Sequence, residues 1–74
     1  MQTINDFKNF FYNKDISYQV EQTKDEQTFI TDRCKVKVNQ KTITFITTKE
    51  LYSLPNNKDS VKVVIGLIED SYRG

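Results

Sequence analysis

Residues 27–48 read QTFITDRCKVKVNQKTITFITT, and the reading of this stretch decides the fold. It divides into two strand-like runs with Asn39 and Gln40 between them. If those two residues form a tight turn, Val38 faces Lys41, Val36 faces Ile43 and Cys34 faces Phe45, while Lys37, Lys35 and Arg33 fall opposite Thr42, Thr44 and Ile46. One face is then apolar and the other basic and hydroxylated. A one-residue slip turns every side chain to the wrong face, so a register that sorts both runs consistently argues for a hairpin more strongly than either run alone. Asp32 falls on the apolar face in the middle of the first run, where a sheet edge or a bulge has to let it reach water or an unpaired amide.

Upstream, Ile16, Tyr18 and Val20 alternate with Ser17, Gln19 and Glu21, the period of a half-buried strand. The polar residues Thr23, Lys24, Asp25 and Glu26 form the turn into the next strand. Val20 shares a face with Ile30, Cys34 and Val36 only if that loop has an odd length, three or five residues. At the start of the chain, Thr3 stands three residues before Asp6, a variant of the capping box that opens a helix. Ile4, Phe7, Phe10 and Phe11 then form one apolar stripe, and Asn13, Lys14 and Asp15 end the helix.

Downstream, residues 49–54 have room for one or two helical turns before Pro55 stops them. Asn56, Asn57 and Lys58 form a loop, and Asp59 or Ser60 caps a final helix over residues 61–72, in which Val61, Val64, Ile65, Ile68 and Tyr72 keep helical spacing. These elements predict an α+β fold of order α-β-β-β-α. A three-stranded antiparallel sheet is packed on one face by an N-terminal and a C-terminal helix, and residues 1–74 form a single domain without internal repeat.

A chain of 74 residues hides only about 60 % of the surface it exposes when unfolded. Its C-terminal helix carries more apolar surface than a small three-stranded sheet can cover. Val63, Val64, Leu67 and Ile68 are therefore expected at a homodimer interface, with Gly66 permitting close approach of another backbone. The single Cys34 cannot pair within the chain and reads as a small buried apolar side chain in a reducing compartment. No run approaches the roughly 18 apolar residues of a membrane span. A cytosolic protein is expected.

Eleven Lys and Arg against ten Asp and Glu leave a formal charge of +1, too balanced to indicate nucleic acid from composition. Arg33, Lys35 and Lys37 still concentrate positive charge on one sheet face, which reads first as an ordinary solvated surface and second as a nucleic-acid site. Histidine is absent and glycine occurs twice, so the commonest general base and metal ligand and the phosphate-cradling loops are missing. With no nucleophile and base pair fixed by the pattern, the expectation is a protein without catalytic activity, cofactor or metal, acting through its surfaces.

The run Ile4-Asn5-Asp6-Phe7, followed by Asn13-Lys14-Asp15 in a short chain rich in Lys, Asn, Ile and Thr, resembles the small early proteins of phages that infect AT-rich Gram-positive bacteria. Within that group the chain is similar in scale and topology to inhibitors of the bacterial replicative sliding clamp, and to anti-CRISPR proteins that occupy the DNA-binding site of Cas9. The first resemblance implies a cytoplasmic protein of the infected host, in which a dimer plugs the DNA channel of the clamp and blocks its loading onto DNA. Carboxylates would there stand in for phosphates against basic channel walls, and Glu21, Asp25, Glu26, Glu69 and Asp70 are the candidates. Most clamp partners insert a Gln-Leu-x-Leu-Phe type peptide. Residues 50–54, Glu-Leu-Tyr-Ser-Leu, depart from that pattern at three positions, so the channel is favoured over the peptide pocket.

Overall fold

In the computed structural model, which describes residues 2–73, the chain runs α1 (Gln2–Asn13), β1 (Gln19–Gln22), β2 (Gln27–Ile30), β3 (Lys35–Val38), β4 (Thr42–Ile46), β5 (Leu51–Pro55) and α2 (Lys58–Arg73). The α+β class holds, but the sheet has five antiparallel strands in chain order rather than three. The two extra strands come from places where the sequence reads otherwise. One long strand is in fact two, and the short helix expected over residues 49–54 is β5. Pro55 is tolerated there because it ends an edge strand, where a missing N–H leaves no ladder bond unmade.

Four turns connect the strands, and they begin at Thr23, Thr31, Asn39 and Thr47, every eighth residue. In each, the N–H of the first residue donates to the carbonyl three residues on, at 2.8, 2.9, 3.1 and 2.9 Å. At three of them the side-chain oxygen of that residue also accepts two backbone N–H groups. Thr31 Oγ1 takes Arg33 and Cys34 at 3.2 and 3.0 Å, Asn39 Oδ1 takes Lys41 and Thr42 at 2.8 and 2.7 Å, and Thr47 Oγ1 takes Lys49 and Glu50 at 3.2 and 3.0 Å. No turn residue has positive φ, so the turns form without glycine, and a side-chain acceptor satisfies the free amides instead. This eight-residue period is an internal repeat that hydrophobic alternation does not display.

The turn at residues 31–34 corrects three expectations together. Asp32 is at a turn tip rather than in mid-strand, which is how a carboxylate on the apolar side reaches solvent. Every side chain before Thr31 changes face relative to a continuous strand. Phe29 therefore pairs with Val36 and is fully buried, while Ile30 turns outward beside Lys35. Consistently, Val20 pairs with Phe29 across a four-residue connection, not one of three or five. The β3–β4 turn is centred one residue later than expected. That shifts the register by two and leaves the faces unchanged, with Val36 against Phe45 and Val38 against Ile43.

Both helices cover the same face of the sheet. Phe7 and Phe11 from α1, Phe29, Val36, Val38, Ile43 and Phe45 from the strands, and Val61, Val64 and Ile68 from α2 make one buried cluster. Burying each large side chain contributes about 1.5–3 kcal/mol. Phe11, Tyr18 and Phe29 meet in a ring cluster with centroids 5.1 to 5.7 Å apart, closing the core beneath β1 and β2.

The helix ends are held by specific contacts. At the end of α1, Ile16 N–H donates to Phe11 C=O at 2.9 Å and Asp15 N–H to Tyr12 C=O at 3.1 Å, with Asp15 at φ 58°, the Schellman arrangement. Asn57 caps α2, not Asp59 or Ser60, because its Oδ1 accepts the Ser60 N–H at 2.8 Å. Thr3 is buried inside α1 rather than capping it, and its hydroxyl donates to Asn56 Oδ1. Asn56 Nδ2 donates in turn to the Asn39 carbonyl at 2.7 Å, tying α1, the β3–β4 turn and the entry to α2 together.

Gly66 does not serve close packing within the chain, since a Cβ built there meets nothing within 4 Å. Gly66→Ala should therefore raise unfolding free energy by about 0.5–1 kcal/mol through helix propensity. Asp15→Gly should stabilise by a similar amount, about 0.5–1 kcal/mol, by relieving a left-handed residue. Urea titration of both variants checks the two gains, and a loss at either position would contradict the helix geometry described.

Candidate interaction surfaces

Strand pairing assembles the face turned away from the helices into cross-sheet rows. One runs Glu21, Thr28, Lys37, Thr44, Ser53 and the next Gln19, Ile30, Lys35, Ile46, Leu51. Lys35 and Lys37 thus lie on an uncovered face among hydroxyls. The expected polarity holds there, although Ile30, Ile46 and Leu51 make the second row more apolar than the sequence reading allowed. Leu51 is 66 % exposed.

Arg33 does not join that face. It sits at the β2–β3 turn, its guanidinium 5.7 Å from the centre of the Tyr72 ring, and Nη1 reaches the Ser71 carbonyl at 3.5 Å. Tyr72 Oη donates to Asp32 Oδ1 at 2.7 Å. Asp32 and Arg33 therefore hold the last turn of α2 through Tyr72 and Ser71, and the carboxylate that looked misplaced in a strand has a structural partner. Beneath this clasp Cys34 is buried, with Thr31 Oγ1 3.4 Å from its sulfur, and burial pushes its thiol above the ordinary range. Such a thiol is held protonated and unreactive.

The five carboxylates proposed from sequence do not converge. Glu21 stands on the uncovered sheet face in the row of Lys37, whereas Asp25 and Glu26 lie at the end formed by the β1–β2 and β3–β4 turns, in a shallow groove with Lys24 and Lys41. Glu69 and Asp70 lie at the opposite end, by the C-terminus of α1. Glu69 pairs with Lys14 at 3.4 Å and Asp70 with Arg73 at 3.5 Å, both as exposed ion pairs of small energetic weight.

The expected dimer face is corrected in part. Val64 and Ile68 are fully buried in the chain's own core, because five strands give α2 a wider platform than three. Val63 is 52 % exposed, and Leu67 packs partly against the core from the flank of the helix. The strand expected to be half-buried after α1 is β1, an outer strand with all four residues exposed, and Tyr12, which sequence reading passed over, is 85 % exposed. The regular spacing of Thr23, Thr31, Asn39 and Thr47 was the signal that would have revealed five strands and hence which of them are edges.

Among the described residues no group of three or more Cys, Asp and Glu side chains is placed to hold a metal ion, and no helix is long and apolar enough to cross a membrane. No protein-family model, curated protein or solved structure matches the chain.

Burial, and then the adjacent Asp32 carboxylate, raise the pKa of the Tyr72 phenol. A raised folded-state value means that its contribution is complete below the unfolded value of about 10 and is lost as pH climbs through the folded one. Stability should accordingly fall above about pH 10, and Tyr72→Phe should flatten part of that fall in thermal melts across the alkaline range. An unchanged slope would remove Tyr72 from the alkaline transition.

Proposed function

We propose that this chain is a non-catalytic inhibitor of a host DNA-replication protein, acting as a homodimer that occupies the DNA channel of the sliding clamp and blocks its loading. The observation that carries the reading is the distribution of negative charge on a narrow body. One chain measures 32 × 21 × 21 Å along its principal axes and carries Asp25 and Glu26 at one end and Glu69 and Asp70 at the other, with Glu21 on the uncovered sheet face. A channel lined by Lys and Arg offers the opposite charge to the carboxylates of Asp25 and Glu26, while Glu69 and Asp70 would exchange their exposed partners Lys14 and Arg73 for channel cations. Asp25, in the β1–β2 turn, is exposed to such a wall.

An anti-CRISPR role against Cas9 would use the same carboxylates, but the formal charge of +1 is far from that of a DNA mimic. A nucleic-acid-binding role has its own supporting observation. Lys35 and Lys37 stand on the uncovered sheet face and take part in neither of the two ion pairs found among the described residues.

Purified clamp, Cas9 and DNA separate these readings. Under the clamp reading, the chain binds clamp and prevents its loading, and Asp25→Lys with Glu26→Lys weakens binding by about tenfold or more, consistent with loss of two rim charge contacts. Binding of DNA that is abolished by Lys35→Glu with Lys37→Glu, in a chain without affinity for clamp, would replace that reading with the basic-face one.

A further inference from the structure

The two edges of the sheet are not equivalent. In β1, the Thr23 N–H bonds to the Glu26 carbonyl, so by the alternation of an antiparallel ladder Glu21 and Gln19 bond inward to Thr28 and Ile30. The even positions, Val20 and Gln22 in the strand and Tyr18 just before it, aim their N–H and C=O groups away from the sheet. In β5, the bonds Thr47 N–H to Glu50 and Asn56 N–H to Lys41 leave Leu51, Ser53 and Pro55 as the outward-facing set. Pro55 has no N–H to offer. One edge is thus blunted, while β1 carries no proline and no lysine, and every one of its residues is exposed.

We propose that β1 pairs antiparallel with β1 of a second copy of the chain about a two-fold axis through Val20, joining two five-stranded sheets into one. The occupant is a second copy because this edge is self-complementary in a single register. With Val20 opposite Val20 of the other copy, Tyr18 meets Gln22 on either side, and every outward-facing N–H and C=O of the three positions finds a partner. Side chains agree with the backbone in that register. Val20, 42 % exposed in one chain, is covered by its own counterpart on the helix side, and Glu21 lies opposite the neutral Gln19 on the other face. Shifting by two residues in one direction would set Glu21 against Glu21, and in the other would bring Gln22 opposite Ile16, whose N–H is already bonded to the Phe11 carbonyl. This inference deepens the dimer in the reading above but does not depend on which target the dimer meets.

The test uses the purified full chain without any target, so failure here is separate from failure to bind clamp. Sedimentation should show a dimer. Val20→Pro removes an outward N–H without touching the β1–β2 ladder and should give a folded monomer with an unchanged circular dichroism spectrum. Should that variant not fold, surface charge decides instead: Gln19→Glu places like charges at two symmetric contacts and should raise the dimer dissociation constant about tenfold, and Gln19→Lys should lower it. Val20→Cys should oxidise to a disulfide-linked dimer, while Leu51→Cys on the other edge should not. A chain that is monomeric at every concentration, a dimer indifferent to Val20→Pro and to the charge at residue 19, or cross-linking through Leu51→Cys would overturn the proposal. So would a β1 edge that is occupied only by an extended segment of some other protein.

Discussion

The arrangement of this protein depends on the Thr31 hydroxyl accepting the amides of Arg33 and Cys34. That contact folds what would otherwise be one long strand into two, and it decides which face every earlier residue presents. Phe29 enters the core because of it, and through Phe29 so do the ring contacts with Phe7, Phe11 and Tyr18 that seat α1 on the sheet. Were the chain to run straight through residues 31–34, Phe29 would lie among lysines and Ile30 in the core. A turn without glycine is held here by side-chain oxygen together with one backbone bond, and the same device recurs at Asn39 and Thr47.

A meander of short strands joined by such local turns makes most of its contacts between sequence neighbours, with the helices supplying the long-range closure. Lys14 to Glu69, Tyr72 to Asp32 and Asn56 to Asn39 bind the ends of the helices to the ends of the sheet. Each is partly exposed and of modest weight by itself. Their placement matters more than their strength, since they fix where α2 begins and ends over the sheet while Val61, Val64 and Ile68 supply the burial.

The consequence for function is that the greasy face of α2 is satisfied within one chain, and the surfaces left for partners are of other kinds. They are two charged ends, an uncovered face mixing Lys35 and Lys37 with Ile30, Ile46 and Leu51, and an outer strand whose backbone is open. A domain of this size gains from association because its own core is thin. Backbone pairing at an edge offers that gain without exposing a large apolar patch to water.

How much was legible beforehand follows from the range of each signal. Periodicity within one element marked α1, α2 and the β3–β4 hairpin, since the 3.6- and two-residue repeats of Phe7 and Phe11, Val64 and Ile68, or Val36 and Val38 are local properties. The α+β class, the buried Cys34 and the basic side of β3 followed from the same patterns. The turn at Thr31 did not, because neither glycine nor proline marks it and its flanks alternate as if uninterrupted. Nor did β5, whose Leu51, Tyr52 and Leu54 suit a helical turn as well as a strand until β4 lies alongside. The sheet's width, the withdrawal of Arg33 into a clasp on Tyr72, the separation of Asp25 and Glu26 from Glu69 and Asp70 and the inequality of the two edges were decided only by tertiary structure. Each of these depends on which backbone groups lie beside which across the sheet, and that is a relation between segments distant in the chain rather than a property of any one of them.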